Sequence, residues 1–225
     1  MLHLYAIVEQ RAQCTGVGLD GEELIAIDCG DVVAVASEHA RPLDAPPVED
    51  ALWEHEGVLE ALLETGPVLP VRFGVRFADC GALRVEVQSN CARLAKALAD
   101  VRGRVEVSLR LLARDDAPHM VDELDAMDGP GAKYILERLG ERRDAERKLE
   151  AVRTRLSPLA VAERSRLLPR PGTSATAAFL VERHLLERFR READELEREL
   201  EDVTLVCTGP WPPYNFVDEP VGATV

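Results

Sequence analysis

The first hundred residues carry short aliphatic runs and one amphipathic pattern. Residues 2–8 form an aliphatic run that predicts the opening strand of the fold. Residues 24–27 and 32–36 predict a β-hairpin. After Pro46-Pro47, apolar positions recur every three or four residues, which predicts a helix that ends at Gly66-Pro67. The predicted buried stripe of this helix comprises Leu52, His55, Leu59 and Leu62.

The next stretch contains one clear strand and one ambiguous segment. Residues 68–77 predict a short strand followed by a turn. Residues 79–99 have a helical pattern in their second half, but the first half, at 83–87, also alternates like a strand. Both alternatives stay open for that first half. Residues 104–112 alternate strictly between apolar and polar side chains, which predicts a half-buried strand.

The second half of the chain alternates between helix and strand signals. A long helix is predicted over 130–156, and Ser157-Pro158 is typical of an N-cap followed by proline, which predicts a second short helix or a kink. Residues 169–172 predict a loop, and 176–181 a buried strand. A second amphipathic helix and a strand at 203–207 follow. The two apolar stripes are Ala145, Leu149, Val152 and Leu156, and Leu185, Phe189, Ala193, Leu196 and Leu200.

This order of elements predicts the fold class. Strand, helix, strand, helix, strand in the second half favours helices packed on one face of a sheet, as in ferredoxin-like domains. The predicted fold is therefore α+β with two domains. An acidic N-terminal mixed α/β domain would occupy 1–102, and a ferredoxin-like domain with a proline-aromatic tail would occupy 103–225.

Charge is unevenly distributed along the 225 residues, whose net charge is −14. Residues 1–70 hold fourteen Asp and Glu against two Arg, about −12, whereas 128–170 hold eleven Lys and Arg against seven acids, about +4. The acidic front end repels phosphate and argues against nucleic acid as a partner. In the basic stretch, arginines alternate with acids, which is typical of a solvated helix face.

Cysteine and histidine spacing gives no local sign of a metal or catalytic site. The five cysteines are widely spaced and odd in number, so reduced thiols in a cytoplasmic protein are expected. No apolar run approaches the length of a membrane span, so no membrane association is expected. The five histidines never fall four residues apart. His55, on a helical apolar stripe, is predicted to be a core residue with one hydrogen-bonded nitrogen.

A glycine pattern at Gly16, Gly18 and Gly21 matches the dinucleotide-binding fingerprint literally. In that fingerprint the last glycine begins a helix, whose amides hold the pyrophosphate. Here Glu22 and Glu23 follow, at the start of a strand-like run, and their carboxylates would repel phosphate. The pattern therefore indicates a turn, and no cofactor is expected.

Two segments are not explained by composition. The first, residues 66–77, places Arg72 and Arg76 beside phenylalanines, where they either tie the acidic half to the rest of the protein or serve at the surface. The second, residues 208–217, is rich in proline and aromatic residues and predicts a stiff segment that either caps the core or presents anchors to a partner. The candidate structural or partner-contact residues are His55, Pro70, Arg72, Phe73, Gly74, Trp211, Pro212, Pro213, Tyr214 and Phe216.

At these two segments the sequence resembles the gas vesicle protein L/F family. That family carries a GPVLPVRFG-type motif after a histidine-bearing helix, and Gly66–Gly74 matches it in full. It ends in a GPWPPYSF-type motif, which Gly209–Phe216 matches except that Asn215 stands where the family usually has serine. Residues 4–8 and 178–181 match in character and order, so the resemblance spans nearly the whole chain.

The resemblance implies a non-catalytic accessory or minor structural protein of gas vesicle assembly. It implies a cytoplasmic, vesicle-associated location and contacts with the main shell protein and other accessory gas vesicle proteins. No enzymatic activity and no cofactor come with it. The alternative function is a ferredoxin-like, small-molecule-binding regulatory protein. An RNA-binding version of that alternative is disfavoured because the strand at 104–112 lacks stacking aromatics.

Overall fold

The computed structural model describes residues 1–10, 12, 14–39, 49–113, 130–170, 173–200 and 203–218. Within these ranges the chain has a mixed α+β fold with nine strands and five α-helices. It divides into two compact units. One combines Met1–Val105 with the C-terminal segment from Trp211, and the other is Glu106–Pro210.

The first unit contains a sheet with β1 at its centre. Strand β1 pairs with β3 on one side, and on the other side it pairs with β4 and then with β5. Strand β2 pairs with β3 and completes the predicted hairpin. The elements are β1 (Leu2–Glu9), β2 (Leu24–Asp28), β3 (Val32–Glu38), α1 (Glu49–Thr65), β4 (Val68–Pro70), β5 (Arg76–Phe77), α2 (Cys80–Ser89) and α3 (Cys91–Val101).

Both faces of β1 are covered, which explains its continuous aliphatic run. Leu2, Leu4 and Ile7 belong to the hydrophobic core that α2 and α3 close. His3 and Tyr5 lie toward α1, because the ring of His55 on that helix contacts both of theirs. The predicted opening strand is confirmed, and it organises the unit.

Helix α1 agrees with its predicted pattern except at one position. His55, Leu59 and Leu62 are buried, but Leu52 is 40% exposed, so its assignment to the buried stripe is wrong. Val58 and Leu63 are buried instead and broaden the stripe on the side away from solvent. The helix ends at Thr65, as Gly66-Pro67 predicts, while Pro46-Pro47 lies outside the described residues.

The ambiguous segment is helical throughout. Asp79 caps α2, because its Oδ1 accepts a hydrogen bond from the backbone N–H of Ala82 at 2.8 Å. Leu83 and Val87, four residues apart, are buried on one face of that helix. The strand-like alternation therefore has no structural counterpart: Val85, its middle apolar residue, is 67% exposed on the outer face of the helix.

The second unit contains a four-stranded sheet with the order β7-β8-β6-β9. Along the chain its elements alternate as strand, helix, two strands, helix, strand. Strands β7 and β8 form an antiparallel pair. The elements are β6 (Arg104–Ala113), α4 (Pro130–Leu156), β7 (Ala162–Arg170), β8 (Thr173–Glu182), α5 (Leu186–Glu199) and β9 (Val203–Trp211).

The predicted stripes of α4 and α5 form the hydrophobic core of this unit. All four predicted positions of α4 are buried, and so are the three central positions of α5. The strands contribute alternating residues, and Phe179 of β8 contacts Phe189 of α5 with ring centroids 5.2 Å apart. The core cluster includes Val107, Leu109, Leu111, Leu149, Val152, Leu156, Phe179, Val181, Phe189, Ala193, Leu196, Val203 and Leu205.

The sequence pattern did not predict β7. This strand lies at the edge of the sheet, and Arg164, Ser165 and Arg166 are exposed, so it lacks the apolar alternation of a half-buried strand. Pro169 and Arg170 belong to it rather than to a loop, and the rest of the predicted loop lies outside the described residues.

Ser157-Pro158 begins a short 3₁₀ helix, so the chain does turn there, but Leu156 occupies the N-cap position that was predicted for Ser157. Proline lies in the first turn, where its missing N–H costs no hydrogen bond. None of the described helices is both long enough and apolar enough to cross a bilayer.

Candidate functional site

Three of the five histidines meet inside the first unit, although no local spacing indicates it. His3 lies on β1, His39 directly follows β3, and His55 lies on α1; all three are buried. The ring centroid of His3 is 5.2 Å from that of His55 and 6.4 Å from that of His39. The sequence pattern indicates only that His3 and Tyr5, two residues apart in a strand, share a face.

His55 is the centre of this cluster. Its Nε2–H donates to the backbone carbonyl of Val71 at 2.9 Å, and its Nδ1 lies 3.0 Å from Nε2 of His3. Because a carbonyl only accepts, the proton of neutral His55 is on Nε2, and Nδ1 accepts from His3. Both ring nitrogens are therefore hydrogen-bonded, and the prediction of one bonded nitrogen was wrong, whereas its core location is confirmed.

A second chain of hydrogen bonds runs beside it through Tyr5. The Tyr5 hydroxyl accepts from the backbone N–H of Leu19 at 2.7 Å and lies 2.8 Å from the Ser37 hydroxyl. Ser37 in turn lies 2.8 Å from Nε2 of His39, whose Nδ1 is 3.6 Å from Asp20. A hydroxyl oxygen has two acceptor sites, so either hydroxyl of the Tyr5–Ser37 pair can donate to the other while Tyr5 accepts from Leu19. The ring of Tyr5 also stacks on His55.

Gly18 in the glycine pattern is explained by the same tyrosine. A Cβ atom at position 18 would lie 2.1 Å from the Tyr5 hydroxyl oxygen and 2.7 Å from the ring carbon that bears it. The glycine therefore makes room for the buried hydroxyl. Strand β2 begins at Leu24, which confirms that the pattern is followed by a strand rather than by a helix that could hold a phosphate.

Burial keeps the two central histidines uncharged. It lowers the pKa of His3 to about 3, with further lowering by the nearby charges of His55, His39 and Arg76. Burial also lowers the pKa of His55 to about 4, although the hydrogen bond to Val71 acts in the opposite direction. At neutral pH both rings are therefore neutral hydrogen-bond links and weak bases.

The segment that contains Gly66–Gly74 is laid along β1 and over this cluster. Strand β4 pairs with β1, and the N–H of Val71 donates to the carbonyl of Tyr5 at 2.8 Å. After Gly74, whose φ is +94°, the carbonyl of Val75 accepts from the N–H of Leu4 at 3.0 Å. Strand β5 then pairs with the first residues of β1. The backbone of the segment is thus fixed at both ends by the strand that carries His3 and Tyr5.

Phe73 closes the cluster from this segment. Its ring centroid is 5.3 Å from that of His3 and 5.6 Å from that of His55. Pro70 is buried in β4, whereas the Arg72 side chain is exposed. The Arg76 side chain is half-buried, and its Nε has no hydrogen-bond partner among the described residues. The proposed role of the two arginines in tying the acidic half to the rest stays a prediction.

The C-terminal segment also reaches α1. Trp211 ends β9 and is half-buried, and Pro212 and Pro213 are buried. The Tyr214 hydroxyl donates to Oε1 of Glu56 on α1 at 2.8 Å. Phe216 is half-buried, and Val217 packs against the hydrophobic core of the first unit. Burial raises the pKa of Glu56, and the hydrogen bond from Tyr214 partly opposes this.

The two motif segments therefore meet adjacent residues of one helix. His55 binds the carbonyl of Val71 in the first segment, and Glu56 accepts from Tyr214 in the second. In the part of the chain that the structure describes, no group of three or more histidine, cysteine or carboxylate side chains could hold a metal ion.

The sequence matches those of known proteins over nearly the whole chain. The model of the family described as "Gas vesicle synthesis protein GvpL/GvpF" matches residues 1–218. Gas vesicle protein F1 of Halobacterium salinarum is 27% identical to the chain, over 99% of the chain and 95% of its own length. Gas vesicle protein L of a Streptomyces species is 29% identical over 88% of the chain and 85% of its own length.

Two solved structures share the fold. The crystal structure of gas vesicle protein GvpF from Microcystis aeruginosa has a TM-score of 0.81 at 19% identity, and the alignment covers 96% of this chain and 98% of the other. The corresponding structure from Anabaena sp. PCC7120 has a TM-score of 0.83 at 21% identity, with coverages of 96% and 94%. At these identities the similarity establishes the fold.

The contact between Gly18 and Tyr5 predicts a steric penalty for any side chain at position 18. Gly18→Ala should lower the free energy of unfolding by about 2 kcal/mol, because the buried tyrosine has no room to move. Gly66→Ala is the matched control, since a Cβ there would meet no atom within 4 Å. Urea unfolding of both variants measures the difference, and equal stabilities would contradict the contact.

The lowered pKa values of His3 and His55 predict acid sensitivity. The histidines of the unfolded chain bind protons near the ordinary pKa of 6.5, whereas His3 and His55 of the folded chain bind them only near 3 and 4. Their contribution to stability is therefore full well above pH 6.5 and is lost as the pH falls below it. From pH 7 to 5.5, the two histidines should together lower the free energy of unfolding by about 2.5 kcal/mol. Urea titrations at several pH values measure this slope.

His3→Gln keeps a donor toward His55 and should halve the slope. His184→Gln, which replaces an exposed histidine outside the cluster, is the control. A His3→Gln slope equal to that of the wild-type chain would contradict the buried, neutral state of His3.

The hydrogen bond between Tyr214 and Glu56 predicts that the C-terminal segment stabilises the first unit. Tyr214→Phe should lower the free energy of unfolding by about 1 kcal/mol and should raise the pKa of Glu56 further, because a half-buried carboxylate loses its donor. Denaturation and NMR titration of Glu56 measure the two effects. Unchanged stability together with an unchanged Glu56 titration would show that the bond is absent in solution.

Proposed function

We propose, because this chain belongs to the gas vesicle synthesis protein GvpL/GvpF family, that it takes part in gas vesicle assembly as a non-catalytic accessory protein in the cytoplasm. It binds the main shell protein and other accessory gas vesicle proteins. The family match over residues 1–218 is the observation that carries the proposal, because it spans both compact units and both motif segments.

The chemistry of the buried cluster supports the non-catalytic part. His3 and His55 use their hydrogen bonds to hold β1, α1 and the segment from Gly66 together. Their pKa values of about 3 and 4 make them poor proton acceptors at neutral pH, whereas a general base works best with a pKa near that pH. The motif residues around them act as fold determinants.

The proposed domain boundary lies between residues 102 and 103. The topology of the second unit supports a ferredoxin-like domain after this boundary. Its elements follow the order β-α-β-β-α-β that is typical of that fold. The strand order β7-β8-β6-β9 places the first strand of the unit beside the third and the last. The C-terminal segment, from Trp211, is grouped instead with the first unit.

The acidic front end supports a role in keeping a partner in solution. Residues 1–70 carry about −12, from fourteen acids and two arginines. A complex that displays this charge repels other complexes of the same kind and is attracted to basic segments of a partner. Both effects suit an accessory protein that keeps an apolar, aggregation-prone shell subunit dispersed before assembly.

Binding to the purified shell protein across a salt series tests this proposal. Affinity should fall by about tenfold between low and high salt, because screening weakens the attraction of the acidic front end. The control is a chain with Arg164→Ser and Arg166→Ser. These two exposed arginines lie in the basic part of the second unit, outside the acidic front end. Binding that does not depend on salt would remove the electrostatic part, and absence of binding would remove the shell protein as a partner.

Deletion of the gene tests the role in cells. Cells without it should lose buoyant vesicles, and the wild-type gene supplied separately should restore them. A chain carrying His3→Gln, which alters the histidine cluster and keeps a donor, should restore them as well if the cluster is structural. Its failure to do so as a stably folded protein would point to chemistry at the cluster and contradict the non-catalytic assignment.

A further inference from the structure

Helix α1 presents an apolar residue to solvent at the centre of its outer face. The Trp53 side chain is 66% exposed, and Leu52 beside it is 40% exposed. The opposite side of the helix packs into the first unit through His55, Leu59 and Leu62. Trp53 is one of only two tryptophans in the chain, and large exposed aromatic residues are enriched at protein interfaces.

The surroundings of Trp53 are acidic. Glu49 and Asp50 lie one turn before it and Glu60 lies two turns after it, and all three are exposed. The whole helix contains six Asp and Glu and no lysine or arginine. An apolar side chain with carboxylates before and after it along the helix is complementary to a segment that is both basic and apolar.

Gly57 lies four residues after Trp53 and therefore beside it on the same face. A Cβ atom at this position would meet no atom within 4 Å, so nothing in the fold requires glycine here. Glycine inside a helix is less stable than alanine, and it is used where another chain approaches closely. The residue leaves a notch in the helix surface next to the indole ring.

We propose that Trp53 and Gly57, together with Glu49, Asp50 and Glu60, form a docking face for a basic segment of another protein that carries arginine or lysine beside aliphatic residues. A cationic side chain of this segment stacks on the indole ring of Trp53, and its neighbours pair with the carboxylates. The backbone of the segment approaches α1 closely at Gly57. The inference rests on the proposed function only for the identity of the partner.

A second copy of this chain is the less suitable occupant. Three cations of α4 already pair with acids of the same helix: Arg142 lies 2.9 Å from Glu146, and Arg147 and Lys148 both pair with Asp144. Those cations would have to break these pairs before they could contact Trp53. A separate partner with unpaired cations avoids this cost.

Binding measurements with full-length variants test the docking face. The probes are the purified shell protein and a labelled synthetic amphipathic peptide of arginine, leucine and alanine. Trp53→Ala should weaken binding of each probe by about tenfold or more, as expected for a central interface aromatic. Gly57→Gln should weaken binding by a similar factor and leave Tm unchanged or higher, because glutamine is the better helix former.

The Gly57→Gln variant distinguishes a contact role from a structural role. Weaker binding at an unchanged or higher Tm would mean that a contact with the partner, and not the fold, has been lost. Val85→Ala is the matched control, because Val85 is 67% exposed on α2, outside the acidic helix, and its truncation should leave binding unchanged. Wild-type affinity in both Trp53→Ala and Gly57→Gln would overturn the docking face. Self-association of the wild-type chain that Trp53→Ala abolishes would overturn it in favour of a second copy.

The two probes distinguish failure of this inference from failure of the proposed function. Shell protein that binds the wild-type chain and all variants equally overturns the docking face and leaves the proposed function standing. Peptide binding that depends on Trp53 and Gly57, without any binding of the shell protein, supports the face and removes the shell protein as its partner.

Discussion

The hydrogen bond from His55 to the carbonyl of Val71 ties together elements of the first unit that strand pairing and apolar packing also hold. It joins α1 to the segment that runs along β1, while the other ring nitrogen of His55 accepts from His3 on β1 itself. These bonds require a neutral ring with a defined tautomer, and burial supplies it by lowering the pKa to about 4. One uncharged side chain thus links a helix, a strand and a connecting segment.

The C-terminal segment depends on the same helix. Glu56, the next residue after His55, accepts from Tyr214, so the end of the chain is tied to the element that carries the histidine. Two segments that are separated by more than a hundred residues are in this way positioned by neighbouring side chains. The inner side of α1 is occupied by His55 and by the core, and the bond of Glu56 to Tyr214 lies at the edge of the outer side. Its outer side, with Trp53 and Gly57, is the part that remains for a partner.

Gas vesicle assembly places particular demands on such a protein. On the proposed function, it has to stay dispersed while it contacts a shell subunit, and it has to do so without exposing a large apolar surface of its own. An acidic helix that exposes a single aromatic residue would suit both conditions, because carboxylates repel other molecules of the same charge and an exposed indole is a suitable interface anchor. The second unit has its apolar stripes buried between α4, α5 and the sheet, so those stripes serve its own core.

The sequence by itself determined the elements with a strong period and the identity of the family. The stripes of α4 and α5 and the continuous run of β1 were predictable because helical and strand periods act over a few residues. Strand β7 was not, since an exposed edge strand needs no apolar alternation, and the helical state of residues 83–87 depended on the Asp79 cap and on the core beneath Leu83 and Val87. Only the tertiary structure decided the cluster of His3, His39 and His55, because hydrogen bonds between residues so far apart depend on how strands and helix pack and leave no local pattern in the chain.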